Sequence, residues 1–245
     1  MRILVSNDDG IDAPGIARLT EAARRLSQDV WVVAPDRKHT AAGASLTIAQ
    51  PITMEKRGDR RFTCSGRPAD CVVAAMAWLF KDDRKPDLVV AGINDGRNVA
   101  EDLAYSGTLG IAREATFWGV PAIGFSQVKN PEITDGVELW LSAFIGKLWD
   151  KRAQWAAQGH WLSVNLPTQL PADVRQPVIG RDKIASKAEV VETDGDRTVI
   201  IVPRGRPHSS IDGDENSMID SGFVTVNRLN WFGGMRLEDE FVAGL

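Results

Sequence analysis

The stretch that decides the fold is Arg2-Ile3-Leu4-Val5-Ser6-Asn7-Asp8-Asp9-Gly10, followed closely by Pro14-Gly15-Ile16. Its apolar run is continuous rather than alternating, which predicts a strand covered on both faces, as in a parallel sheet. Pro14 suits the first turn of a helix, where its missing N–H would have no partner anyway. Ile16, Leu19, Ala22, Ala23 and Leu26 then recur at three- and four-residue spacing, the stripe of an amphipathic helix. Val30-Trp31-Val32-Val33 is the next apolar run and stops at Ala34-Pro35-Asp36. Strand, helix and strand in this order form the repeating unit of an α/β fold.

The unit recurs downstream. Residues 45–54 and 61–64 read as short strands, and Pro68 opens a helix running through Leu79. Asp87-Leu88-Val89-Val90-Ala91 is a further buried strand ending in Gly92-Ile93-Asn94-Asp95-Gly96. A helix over residues 109–118, a strand over 120–125, an amphipathic helix over 137–149 and a strand over 161–165 complete the series. Alternation of this kind predicts a mostly parallel sheet with helices on both faces. Beyond residue 170 the character changes: residues 189–192 and 197–202 flank Thr193-Asp194-Gly195-Asp196, and Asp-Gly is a strong hairpin signal. A polar loop over 207–217 and a short strand over 223–226 follow. We therefore expect an α/β core over residues 1–170 and, over 171–245, a hairpin arm that packs on the core or is exchanged between subunits.

Composition narrows the function. The 245 residues are 43% hydrophobic and 25% charged, with a net charge of −4, so a packed core is expected. A mildly acidic chain is a poor binder of long nucleic acid, which calls for a basic excess. Cys64 and Cys71 match no zinc spacing and read as packed thiols of a reducing compartment. No leader-like segment opens the chain and no apolar run could span a bilayer, so the expected location is the cytoplasm, away from membranes.

The chemistry collects at strand ends, where open α/β sheets bind their ligands. The first strand delivers Asn7, Asp8 and Asp9; the second, Asp36 and then Thr40; the strand at 87–91, Asn94, Asp95 and Asn98. Two consecutive carboxylates at a buried strand end repel each other, and a cation between them lets both stay ionised. All the donors are oxygens, which selects Mg²⁺ or Mn²⁺, with Ca²⁺ open, over zinc. His39 is the nearest of only three histidines to these aspartates in sequence. Tyr105-Ser106-Gly107-Thr108 opens a helix, whose free N–H groups and positive dipole end suit an anion. The same residues serve equally well as an ordinary hydroxyl cap. No P-loop, dinucleotide fingerprint or nucleophile elbow is present.

Taken together, residues 2–10 with Pro14-Gly15-Ile16, Val33-Ala34-Pro35-Asp36, Ser45-Leu46-Thr47, Pro68-Ala69-Asp70-Cys71-Val72, Gly92-Ile93-Asn94-x-Gly96-x-Asn98 and Tyr105-Ser106-Gly107-Thr108 resemble the SurE family. These are stationary-phase survival proteins, metal-dependent nucleotidases acting on 5′- and 3′-monophosphates. The resemblance implies a Rossmann-like core, one divalent cation (Mg²⁺ or Mn²⁺) per subunit, and hydrolysis of a nucleoside monophosphate to nucleoside and phosphate. It implies a metal site of Asp8, Asp9, Thr40 and Asn94, with a hydroxyl kept at Thr40 where the family usually has Ser. Asp8 and Asp9 would carry the catalysis, and Asn7, Asn98, Ser106, Gly107 and Thr108 would line the phosphate site. It further implies a homodimer or homotetramer. Arg67 and Arg97 depart from the family pattern, which makes both candidates for contacts to substrate. The competing reading is a non-catalytic regulatory protein that binds metal and nucleotide without turnover.

Overall fold

A computed structural model describes residues 1–132, 136–181, 188–202 and 210–231. In chain order the elements begin with β1 (Arg2–Ser6), α1 (Pro14–Leu26), β2 (Asp29–Pro35), β3 (Met54–Gly58), β4 (Arg61–Cys64) and α2 (Pro68–Ala74), which runs on as a π-helical turn over Ala75–Leu79. Then come β5 (Leu88–Asp95), α3 (Asp102–Tyr105), α4 (Gly107–Phe117), β6 (Ala122–Gln127), α5 (Val137–Asp150), α6 (Arg152–Trp155) and β7 (His160–Leu166). The last are β8 (Val174–Arg175), β9 (Glu189–Asp194), β10 (Arg197–Ile201), α7 (Glu215–Asp220) and β11 (Val224–Asn230).

A central sheet runs in the order β3-β4-β2-β1-β5-β6-β7-β11-β8. Pairing is parallel from β4 through β7, while β3 and β11 join antiparallel to β4 and β7. The continuous apolar run of β1 is explained by its position: Ile3 and Val5 face one core with Ile16, Leu19 and Leu141, and Leu4 faces the other with Met76, Leu109 and Ile111. Helices α1 and α5 thus cover one face and α2 and α4 the other, as alternation along a strand requires.

The topology also fixes where a ligand can go. From β1 the chain moves to β2 and β4 on one side, then crosses back to β5 on the other. The carboxyl ends of β1 and β5 therefore flank the switch point, the crevice that such sheets leave open. Two close approaches shape it. A Cβ on Gly15 would lie 2.0 Å from the Ile93 carbonyl oxygen, so only glycine lets α1 seat against β5. An extra residue in β5 between Ala91 and Asn94 breaks its register with β6 and re-aims the strand end.

Three expectations need correction. Residues 45–53 are not a strand; Pro51 lacks an N–H, while those of Thr47 and Thr53 are taken by the Asp70 carboxylate and the Ser65 hydroxyl. The end of the expected polar loop is the start of the helix α7, capped by Asp214, whose carboxylate accepts the Ser217 N–H at 2.8 Å. The final strand is longer than expected because β11 pairs along β7 from Thr225 to Asn230. The expected hairpin forms as β9 and β10. Residues 207–209 of the expected polar loop, including His208, lie outside the described residues. No helix among the described residues is long and apolar enough to cross a membrane.

Candidate functional site

The site is built on the turn that leaves β1. Asn7 is fully buried, and its Nδ2 donates to the Gly10 carbonyl at 2.8 Å, closing the turn. Gly10 has φ +102°, and a Cβ there would press on the Arg37 backbone. The loop after β2 is drawn in from the other side: the His39 N–H donates to the Asp8 carbonyl at 2.7 Å, and the Gly43 N–H to the Tyr105 carbonyl at 2.8 Å. Thr40 stands exposed between these two anchors.

Asp8 is buried at the bottom of the crevice. The Thr108 hydroxyl donates to its Oδ1 at 2.5 Å, and the Thr108 main-chain N–H adds a second bond at the start of α4. Gly107 makes this approach possible, because a Cβ there would fall 2.8 Å from both Cβ and Oδ2 of Asp8. Burial pushes the Asp8 carboxyl up to about 6, opposed by the Thr108 hydroxyl and raised further by the adjacent Asp9 charge.

Asp9 lies at the mouth. Its Oδ2 accepts the Asp95 N–H at 3.0 Å, joining β1 to β5 across the crevice. Its Oδ1 meets the Lys38 ammonium at 2.5 Å. That hydrogen bond raises the Lys38 pKa above its ordinary value, against partial burial. Lys38 is a site residue that the sequence reading passed over; a lysine in a polar loop gives no signal of which carboxylate it will meet.

The structure brings Asn7, Asp8, Asp9, Gly107 and Thr108 together, with Asn94 beside them at the end of β5, its Nδ2 donating to the Gly96 carbonyl at 2.7 Å. Asn98 is turned elsewhere. Its Nδ2 donates to Ser126 Oγ at 2.7 Å, and its main chain is clasped at both N–H and carbonyl by the Asn165 side chain. Ser126 and Asn165, on β6 and β7, are thus the supports of the loop after β5. Ser106 Oγ accepts the Leu109 N–H at 3.1 Å, so that hydroxyl caps α4. The two departing arginines are engaged with other side chains. The Arg97 guanidinium holds Asn216 at 3.0 Å and Asp220 at 2.8 Å on α7, and Arg67 reaches Ser45 Oγ at 3.2 Å.

This donor set can be tested for fit to a cation. Asn7 Oδ1 is buried with no hydrogen-bond partner among the described residues. Because the amide nitrogen is committed to Gly10, what Asn7 offers the crevice is an acceptor, which suits a cation or a donating hydroxyl. Two carboxylates, an amide at Asn94 and a nearby hydroxyl at Thr40 are hard oxygen donors that fit Mg²⁺ or Mn²⁺. Among the described residues no three His, Cys, Asp or Glu side chains converge. The start of α4 abuts the same crevice, and the positive end of its dipole favours anionic charge there.

Comparison with known proteins points the same way. The profile of the family described as Survival protein SurE matches residues 3–189. Proteins named 5′-nucleotidase SurE are similar in sequence: that of Paramagnetospirillum magneticum is 45% identical over 177 residues, 71% of this chain and 66% of the relative. The protein of Rhizorhabdus wittichii is 40% identical over 71% of this chain and 69% of the relative. That of Rhodospirillum rubrum is 52% identical over 52% of this chain and 48% of the relative. The matched part of the chain thus spans about half to about two thirds of these relatives' length. The crystal structure of the SurE protein from Aquifex aeolicus superposes with a TM-score of 0.71 at 28% identity, covering 100% of this chain and 97% of that one.

Proposed function

The chain belongs to the SurE family, and from that premise we propose that it hydrolyses nucleoside 5′-monophosphates, and 3′-monophosphates as a second class, to nucleoside and inorganic phosphate. The observation that carries this reading is the Asp8 carboxylate, buried at the β1–β5 switch point and seated against the N-terminus of α4.

The residues that would hold a divalent cation, Mg²⁺ or Mn²⁺, are Asp8, Asp9, Thr40 and Asn94. When bound, such a cation supplies positive charge to the phosphoryl group and acidifies a water. The chain's own residues do the rest. Thr108 holds Asp8 in one orientation through hydroxyl and main-chain N–H, so the carboxylate needs no reorganisation during reaction. Asp9, which accepts the Asp95 N–H at the mouth, would orient the attacking water or take its proton. Gly107 brings the positive end of the α4 dipole to the phosphate oxygens while Thr108 stays on Asp8, and the buried β1 turn excludes bulk water behind them. Asn7, whose free group is an acceptor, suits a sugar hydroxyl or the cation.

The homologues' names support turnover over the regulatory reading, in which nucleotide binds without phosphate release. Phosphate release from a panel of 5′- and 3′-nucleotides, with Mg²⁺, Mn²⁺ or EDTA, tests it. Metal-dependent release abolished in Asp8→Asn is expected; full activity surviving both EDTA and that substitution overturns the proposal.

We also infer a homodimer or homotetramer in the cytoplasm, with the β9–β10 hairpin exchanged between subunits. Val190, Val191, Ile200 and Ile201 on that hairpin are exposed, an apolar surface that a second copy would cover.

A further inference from the structure

Both oxygens of Asp9 are engaged, but by partners of unlike stiffness. Oδ2 accepts from the main-chain N–H of Asp95, a donor that is part of β5 and stays in place as long as the strand does. Oδ1 is held at 2.5 Å by the ammonium of Lys38, whose side chain is 51% exposed on a flexible stem, whereas that of Asp9 is 8% exposed. A cation that coordinates Asp9 must therefore share or displace the Lys38 contact, and Lys38 is the partner that can yield. Its root stays beside the site, because the next residue's N–H is bonded to the Asp8 carbonyl.

We propose that Lys38 couples the two ligands of this site: its ammonium competes with the divalent cation for Asp9, and an incoming phosphate draws it off. The proposal rests on the reading of Asp8 and Asp9 as cation ligands. Its consequence is that cation and phosphate bind with positive cooperativity, which by linkage is reciprocal. The cation frees an ammonium that can pair with phosphate, and the phosphate removes a charge that repels the cation. The exposed ammonium makes the effect weaken with salt.

Calorimetric titration of Mn²⁺, with and without inorganic phosphate, reads this without turnover. In wild type, phosphate should tighten Mn²⁺ binding. Lys38→Met keeps the stem and removes the charge; it should bind Mn²⁺ roughly tenfold more tightly in the absence of phosphate, and phosphate should then add correspondingly less. Lys38→Arg, which keeps a cation, should restore the wild-type pattern. Mn²⁺ binding to Lys38→Met that equals or falls below wild type, or phosphate coupling of unchanged size, overturns the proposal. If wild type binds no Mn²⁺, or Asp8→Asn binds it equally well, the metal reading itself has failed, and the proposal with it.

Discussion

Asp8 and Asp9 are adjacent in sequence and identical in chemistry, yet the two sides of the site they define are built differently. The inner wall, with Asp8, Asn7, Gly107 and Thr108, is dry and assembled from a strand end and a helix start. Among the described residues its donors to Asp8 are neutral, so burial wins and the carboxyl is pushed up to about 6. The outer rim, with Asp9, Lys38, Thr40 and Asn94, is assembled from side chains of the β1 turn, the loop after β2 and the end of β5. There a full positive charge meets Asp9. The contrast teaches that the fold dictates the inner wall's chemistry through backbone placement, whereas the rim's depends on which side chain the loop carries.

The harshest way to break the inner wall is to fill the space that glycine leaves. In Gly107→Val the new Cβ would meet the Asp8 Cβ at 2.8 Å, and the valine methyls would add to the clash. A displacement on the order of 1 Å of a reacting group costs about a hundredfold in rate, and that loss or more is expected in kcat. Overpacking should also destabilise the fold by roughly 1–3 kcal/mol. Rates and denaturant midpoints measured together check this; wild-type kcat would mean that the α4 start does not position Asp8.

The same division governs what could be read in advance. The α/β architecture was legible because β1 is an unbroken apolar run and Ile16, Leu19 and Leu26 repeat with a helical period. The inner wall was legible because paired aspartates at a strand end and Gly107 at a helix start are rare without a reason. The contacts of Asn98 were not legible: its motif lies beside the site, but its partners Ser126 and Asn165 are 28 and 67 residues away, and their pairing is a product of the sheet order. Arg97 turned to α7 for a like reason, its partners Asn216 and Asp220 being far along the chain. Lys38 went unnoticed because its meeting with Asp9 depends on how the loop after β2 is anchored at His39 and Gly43.

A second prediction sharpens the electrostatic side of the contrast. An acid whose folded-state pKa lies above its ordinary value binds its proton more tightly when folded. Asp8 therefore destabilises the metal-free protein as pH rises from its ordinary 3.8 through about 6, and the cost is complete above that. In EDTA, Asp8→Asn should be more stable than wild type by up to about 3 kcal/mol at about pH 8, and nearly equal to it at about pH 4. Urea unfolding of both proteins at the two pH values measures the difference. A constant difference across pH would show that Asp8 is not held in a dry environment.

The smallest effect separates scaffold from ligand on the inner wall itself. Ser106 was expected to line the phosphate, but its hydroxyl is committed to the Leu109 N–H as the cap of α4. A cap is worth about 1 kcal/mol, so Ser106→Ala should lose that much stability. Ser106→Asn, which can still cap, should recover most of it. If capping is the whole role, KM for a nucleotide should change little in either variant and kcat should follow only the small loosening of α4. If the hydroxyl instead releases Leu109 to meet the phosphate, Ser106→Ala should raise KM by more than the stability loss explains, and Ser106→Asn should not rescue it, because an amide at this position is longer and differently aimed. The pattern across the two variants, stability against KM, decides whether the inner wall ends at Gly107 or extends one residue further, to Ser106.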